Sequence, residues 1–181
     1  NQGENVEAFT KRITPIIFDP TVAAKRVSLD PKSDLIKSSA TNFYEGVSEK
    51  EVTDFYKKMN VPNDKTPPSY GLNTKLMKEN GKLVEKTWKV GGMYSAAIEK
   101  IVYWLEKANA VAENDAQKKA INLLIEFYKT GDLKKFDEYC IAWVADNESA
   151  IDVVNGFIEV YGDPLGRKGS FESVVSVKDM E

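Results

Sequence analysis

Apolar residues recur at helical spacing in three successive stretches of the second half of the chain. Apolar side chains three or four residues apart line one side of each stretch, which predicts helices that bury one face. Asn114 and Asp132 precede the second and third helices and Gly131 ends the second, as capping residues do. The apolar positions are, in chain order, Ile98, Ile101, Val102 and Leu105, then Ala120, Leu123, Leu124 and Phe127, then Leu133, Phe136, Cys140, Trp143 and Val144.

Two further helices are predicted in the first half of the chain. Val6, Phe9 and Ile13 lie at helical spacing, and Pro15 ends that helix or begins its last turn. Residues 19–31 are punctuated by Asp and Pro and are predicted to be mostly irregular.

The second of these helices begins at a capping box. Ser48 and Glu51 have the required spacing, and Val47 and Val52 lie where a hydrophobic staple would close over the first turn. The apolar face continues through Phe55, Tyr56 and Met59.

Strands are indicated at two places. Asn80-Gly81 favours a two-residue type I′ turn, and it would pair the flanking strands with Met77 opposite Val84. Residues 157–161 alternate with a period of two, so that Phe157, Glu159 and Tyr161 would share one face, and residues 171–177 are again extended. The sequence therefore predicts a mainly helical α+β fold, with a hairpin at about residues 73–90, a helical block at about 93–147 and strands at about 154–177.

The charge pattern divides the chain into two halves. The 181 residues carry a formal charge of −3, which gives no reason to expect a nucleic-acid partner. Residues 91–181 hold 10 basic and 16 acidic side chains, a net of −6. Such an acidic half is typical of a solvated surface, or of a site for a cation such as a peptide α-ammonium. One hypothesis is therefore a non-enzymatic helical module that binds a cationic partner through its acidic surface.

The chemistry open to the chain is restricted because it has no histidine and a single cysteine, Cys140. Zinc sites and Ser-His or Cys-His catalytic pairs are therefore not expected within it. No internal disulfide can form, and we favour a reducing, cytoplasmic location. No apolar run reaches the roughly 20 residues of a membrane span. Two carboxylates, such as Glu159 and Glu172, could still act as an acid–base pair in a hydrolase.

Residues 156–164 are the most suggestive segment. They place the carboxylate of Glu159 and the phenol of Tyr161 beside a glycine-flanked turn. A carboxylate can bind an ammonium through charge-assisted hydrogen bonds, and a phenol can donate to a carbonyl oxygen that becomes an oxyanion. A surface strand with a solvated Glu159 and a packed Tyr161 explains the same spacing.

The run from Phe157 to Glu172 reads Phe-Ile-Glu-Val-Tyr-Gly-Asp-Pro-Leu-Gly-Arg-Lys-Gly-Ser-Phe-Glu. It resembles the Ile-Glu-x-Tyr-Arg-Asp-Pro-x-Gly block followed by Glu-Phe-Glu in the dipeptidyl peptidase III family of zinc metallopeptidases. Weaker similarity extends upstream to about residue 40, through residues 147–151, 108–110, 70–76 and 42–46. Gly162 replaces the arginine of that pattern, and Ser170 replaces its first Glu-Phe-Glu glutamate.

The resemblance implies a two-lobed zinc enzyme that releases dipeptides from the N-termini of short peptides. This chain resembles part of the lobe that lacks the HExxGH zinc motif, so residues 1–181 would be a single fragment of the substrate-binding lobe. If the residues that match the family pattern have the same roles here, Glu159 would anchor the α-ammonium of the substrate, Tyr161 would contact the scissile carbonyl, and Glu172 would line the cleft. Zinc is then expected only in the full-length enzyme, the zinc-bearing remainder of the polypeptide is the expected partner, and the isolated piece is expected to be inactive.

Overall fold

The computed structural model describes residues 3–179 and contains, within them, five helices and five strands. The helices are α1 (Val6–Phe18), α2 (Glu49–Lys57), α3 (Ser95–Ala110), α4 (Asp115–Thr130) and α5 (Leu133–Ala145). The strands are β1 (Tyr44–Glu45), β2 (Thr74–Glu79), β3 (Lys82–Thr87), β4 (Ile151–Glu159) and β5 (Ser170–Val177). The predicted α+β fold class is confirmed.

The predicted caps form as the local chemistry requires. The side chain of Asn114 accepts a hydrogen bond from the backbone N–H of Gln117, 2.9 Å away, at the start of α4. Gly131 ends α4 with φ at 72°, a left-handed conformation that glycine adopts without a steric penalty. Ser48 and Glu51 close both halves of the capping box that begins α2.

The buried face of α5 agrees with the predicted stripe except at Val144. Phe136 is buried, and Leu133, Cys140 and Trp143 are partly buried and pack against the core, which also buries Tyr139 and Ala142. Val144, expected on the core stripe, has 66% of its surface exposed. The apolar residues of α5 surround much of the helix, so their spacing alone does not identify the face that α4 covers.

The hairpin has the predicted turn and register. Asn80 and Gly81 have φ of 49° and 77°, as a type I′ turn requires, and Met77 pairs with Val84. The short strand β1 adds in parallel to the other edge of β2. Strands β4 and β5 form a separate antiparallel ribbon.

Two apolar clusters form the interior, and the loop between β4 and β5 contacts both. The larger cluster includes Trp88 and Phe157, whose ring centroids are 4.8 Å apart, together with the inner faces of α3, α4 and α5. The smaller cluster gathers Tyr44, Tyr56 and other residues of α2, β1 and β2, and Leu165 of the loop packs against it. The loop is therefore supported from two sides.

Helix α1 stands apart from both clusters. None of its residues is buried, and Pro15 lies within its final turn, as the sequence indicated. Residues 19–31 contain neither helix nor strand, as predicted. Among the helices of residues 3–179, none combines the length and the apolar character needed to cross a membrane.

Candidate functional site

The loop that joins β4 to β5 is organised around the carboxylate of Asp163. This side chain is only 4% exposed. It accepts hydrogen bonds from the backbone N–H groups of Arg167 and Lys168, both at 2.8 Å, and of Leu165, at 3.2 Å. The phenol of Tyr44, in β1, donates to it at 2.8 Å. A single buried acceptor thus fixes the loop and ties it to the three-stranded sheet of β1, β2 and β3.

A second buried charge, the ammonium of Lys168, lies on the same side of the loop. Lys168 has no exposed surface. Its Nζ donates to the phenolic oxygen of Tyr56 and, at 2.8 Å, to Oγ1 of Thr74. The carboxylate of Glu85 lies 3.8 Å from Nζ and accepts from both Tyr56, at 2.5 Å, and Thr74, at 2.6 Å. We call Tyr44, Tyr56, Thr74, Glu85, Asp163 and Lys168 the anchor network.

The protonation equilibria of the anchor network reflect its burial. Burial lowers the pKa of Lys168 to about 8, although Glu85 and Asp163 oppose that shift. Burial also raises the pKa of the Tyr44 phenol, and the charge of Asp163 adds to the effect. The pKa of Tyr56 is raised by burial and by Glu85. Both phenols therefore stay protonated as hydrogen-bond donors.

The start of β5 is fixed as closely as the loop. The N–H of Gly169 donates to the carbonyl of Leu72 at 2.8 Å. A Cβ built on Gly169 would lie 2.8 Å from the carbonyl carbon and oxygen of Phe157, closer than real Cβ contacts permit. Only glycine therefore allows this approach of β5 to β4.

The opposite side of the loop carries Glu159 and Tyr161, the two residues that the sequence indicated, and neither side chain contacts a polar or aromatic partner in residues 3–179. Glu159 is the last residue of β4 and is exposed. Tyr161 lies two residues beyond it, in the turn, with 68% of its surface exposed. Within residues 3–179, the carboxylate of Glu159 and the phenol of Tyr161 have no hydrogen-bond, ion-pair or ring partner. We call Glu159 and Tyr161 the free edge.

A β-bulge determines which way Glu159 faces. Strict alternation would put Glu159 on the same face as Phe157, which is buried in the larger cluster. The strand register instead pairs Phe157 with Phe171 and Glu159 with Ser170, so Ile158 is an extra residue. One extra residue reverses the faces that follow it, and the bulge thus turns Glu159 away from the core.

The prediction that Phe157, Glu159 and Tyr161 share one strand face is therefore wrong. The bulge separates Phe157 from Glu159, and β4 ends before Tyr161. The register does bring Glu159 and Glu172 to one face, because Glu159 pairs with Ser170 and Glu172 follows Ser170 by two residues. Glu172 is half-buried and lies opposite Gly156.

The anchor network was not foreseen from the sequence. Asp163 and Lys168 flank a turn signal, and charged residues at such positions are usually solvated. The partners of Lys168 lie far away in the sequence, since 112 residues separate it from Tyr56. The one available signal was that Asp163, Arg167 and Lys168 lie close together in a turn segment that also contains Gly and Pro.

The described residues do not suit a metal ion. The chain has no histidine and one cysteine. Within residues 3–179, no three His, Cys, Asp or Glu side chains come close enough together to hold one. This donor set does not fit zinc.

The chain is similar to a known peptidase family and to individual members of it. The model of peptidase family M49 matches residues 34–181. Dipeptidyl peptidase 3 from Homo sapiens is 35% identical over 86 residues, which cover 48% of this chain and 12% of the human protein. The Rattus norvegicus protein of the same name is 34% identical over 91 residues, covering 49% of this chain and 12% of its own length. The chain thus spans about an eighth of these curated relatives.

Two solved structures share the fold. The structure of DPP III from Caldithrix abyssi matches with a TM-score of 0.62 and 23% identity, over 99% of this chain and 33% of that one. Dipeptidyl-peptidase III from Corallococcus sp. strain EGB matches with a TM-score of 0.59 and 22% identity, over 84% of this chain and 26% of that one. At these identities the likeness establishes the architecture alone.

Proposed function

The chain belongs to peptidase family M49, and from this membership we propose that it is part of a dipeptidyl peptidase III-like exopeptidase that releases dipeptides from the N-termini of short peptides. Residues 1–181 would be a single fragment of the substrate-binding lobe, and they would contribute peptide binding. The fragment alone is expected to be inactive, because its donor set does not fit zinc. Zinc, which the resemblance implies for the whole enzyme, would lie in the remainder of the polypeptide, the proposed partner of this chain.

The observation that supports this proposal is the free edge beside the anchor network. Glu159 is turned outward by the bulge, and its carboxylate has no side-chain partner in residues 3–179. A carboxylate so placed can accept charge-assisted hydrogen bonds from a peptide α-ammonium. Because Glu159 ends β4 next to a loop that is fixed on its other side, the anchoring group would be held in position before the peptide arrives.

Tyr161 and Glu172 complete the proposed contacts. The phenol of Tyr161 is exposed two residues beyond Glu159, and it could donate to the scissile carbonyl oxygen as negative charge develops there. Glu172 shares a ribbon face with Glu159, which would allow it to line the same cleft. An ammonium held at Glu159 would set the distance from the peptide N-terminus to the cleaved bond, and so the length of the released product.

The role of Glu159 is tested by peptide binding. We expect Glu159→Gln to weaken the binding of a tetrapeptide with a free N-terminus by roughly tenfold, because a hydrogen bond between charged groups is lost. The N-acetylated tetrapeptide should bind the wild type and the variant equally. Isothermal titration calorimetry on this chain measures both, with Glu7→Gln in the exposed helix α1 as a matched control. Equal losses for the two peptides would remove Glu159 from this role.

The alternative hypothesis, a non-enzymatic helical module, rests on the acidic excess of residues 91–181. It predicts that charge reversal on the exposed faces of α3–α5 abolishes partner binding while Glu159→Gln has no effect. The coding sequence beyond residue 181 separates the two hypotheses. An HExxGH motif on a following helix would favour the peptidase, and a stop codon directly after Glu181 would favour the module.

A further inference from the structure

Arg26 comes close to the loop from a distant part of the sequence. A Cβ built on Gly162 would lie 2.8 Å from Nη2 of Arg26 and 3.2 Å from Oγ of Ser170. The guanidinium therefore occupies the space into which a side chain at position 162 would extend. Gly162 directly follows Tyr161, so Arg26 lies beside the free edge.

The irregular segment holds Arg26 in this place. The N–H of Ala40 donates to the carbonyl of Lys25 at 2.8 Å, and the N–H of Ser28 donates to Oγ of Ser39 at 2.8 Å. These two hydrogen bonds lie on either side of Arg26 in the sequence. They tie the backbone around it to residues 39–40, a short distance before β1 begins at Tyr44.

Positions 162 and 170 are also the two places where the chain departs from the pattern that it resembles. An arginine and a glutamate of that pattern are replaced there by Gly162 and Ser170. The guanidinium of Arg26 lies next to Gly162, and Oγ of Ser170 lies close to Gly162 as well. Arg26 thus brings a positive charge next to position 162 from a distant segment of the chain.

An open pocket of about 330 Å³ lies beside Arg26. It is lined by Arg26, Ala40, Thr41, Asn42, Phe43 and Gly162. Within residues 3–179, the guanidinium of Arg26 has no ion-pair or hydrogen-bond partner. The hydroxyl of Thr41 is buried and also has no partner in the part of the chain that the structure describes. The pocket is thus lined by an unpaired guanidinium and by a residue whose buried hydroxyl has no partner in residues 3–179.

We propose that Arg26 forms a carboxylate-binding subsite beside Tyr161, which takes an acidic side chain or the C-terminal carboxylate of a bound peptide. A guanidinium binds a carboxylate through two parallel N–H···O bonds, and Thr41 lines the same pocket. This inference rests on the proposed peptide-binding function, and it adds a preference for acidic or short peptides. Position 26 lies outside the residues that the family model matches.

The subsite itself can be tested without a peptide. Acetate is titrated into the ¹⁵N-labelled chain at constant ionic strength, with chloride as the balancing ion. The Nε–H of Arg26 and the backbone N–H of Gly162 should shift together and saturate, while the Nε–H of Arg12, which is paired with Glu4, should not. Arg26→Gln should abolish the shift at Gly162. A linear response, or an equal response at Arg12, would overturn the subsite.

Peptides then identify the source of the carboxylate. The first pair of tetrapeptides, both amidated at the C-terminus, differs only in carrying Glu or Gln, which is placed in turn at positions 2 to 4, and tests an acidic side chain. The second pair has neutral side chains and differs only in a free or an amidated C-terminus, and it tests the terminal carboxylate. We expect one carboxylate to tighten binding by roughly three- to fivefold in the wild type. The gain should vanish in Arg26→Gln, fall in Arg26→Lys, which keeps the charge but loses the fork, and persist in Arg12→Gln.

The two proposals fail in different ways. If the neutral amidated peptide binds through Glu159 but no carboxylate strengthens binding, the Arg26 subsite is wrong and the peptide-binding role stands. If acetate saturates Arg26 but no tetrapeptide binds, the subsite stands as an anion site and the peptide-binding role is wrong.

Discussion

The two sides of the loop between β4 and β5 differ in how their polar groups are satisfied. On one side, the charges of Asp163 and Lys168 are buried and each is surrounded by hydrogen-bond partners. On the other, Glu159 and Tyr161 face outward without a side-chain partner in residues 3–179. Only six residues, Gly162 to Arg167, separate Tyr161 from Lys168.

The difference follows from the cost of desolvation. A buried charge must be paired and hydrogen-bonded, because otherwise it costs several kcal/mol, about as much as the net stability of many domains. An exposed carboxylate or phenol is satisfied by water and can exchange that water for a ligand. The anchor network therefore serves the fold, and the free edge is available for binding.

Removing the central acceptor of the anchor network should give the largest effect on stability. Asp163→Ala leaves the Tyr44 phenol and three backbone N–H groups without their acceptor, and it removes a charge that favours the buried Lys168. We expect a loss of about 3–5 kcal/mol in the free energy of unfolding, measured with urea. The control is Asp54→Ala, which removes a solvent-exposed ion pair with Lys50 and should change little. Similar losses for both variants would show that burial does not distinguish them.

The pH dependence of Lys168 should give the next largest effect. Its pKa is about 8 in the fold and near 10.5 when unfolded, so between these values the unfolded chain binds more protons. Stability from this group should therefore rise as pH increases from about 8 to 10, by up to roughly 3 kcal/mol at the end of the window. The raised pKa values of Tyr44 and Tyr56 act in the opposite direction above pH 10.

The variant Lys168→Met isolates that contribution. The free energy of unfolding of the wild type minus that of the variant should increase between pH 8 and pH 10 in urea titrations. The other titrating groups are common to both proteins, so their contributions largely cancel in this difference. A difference that stays constant or falls over this range would contradict the assignment of a lowered pKa to Lys168.

The free edge should contribute least to stability. Glu159→Ala and Tyr161→Ala remove exposed side chains that have no partner in the described residues, and each should change the free energy of unfolding by no more than about 0.5 kcal/mol. Thermal and urea unfolding measure this directly. A loss of 2 kcal/mol or more for either variant would mean that the side chain supports the fold.

The parts of the structure that were predictable depend on contacts between residues close in sequence. The capping box of Ser48 and Glu51, the turn at Asn80-Gly81 and the end of α4 at Gly131 each involve a few neighbouring residues. Their geometry follows from backbone sterics and short-range hydrogen bonds, which the sequence specifies directly.

The parts that were not predictable depend on distant contacts. The hydrogen bond from Tyr44 to Asp163 joins residues 119 positions apart, and nothing near either residue marks it. The bulge at Ile158 is equally hidden, because alternation of apolar and polar residues does not reveal an extra residue in one strand. The sequence indicated Glu159 and Tyr161 as groups near a turn, but the direction in which they face depends on the strand register.

The proposed function assigns Tyr161 a role in the reaction, and kinetics of the proposed full-length peptidase test that role most directly. With a chromogenic dipeptide substrate, Tyr161→Phe should lower kcat by about a hundredfold and change KM by less than about twofold, because an oxyanion contact forms mainly in the transition state. Tyr103→Phe, on the exposed face of α3, should leave both constants unchanged. An unchanged kcat in Tyr161→Phe would contradict the account.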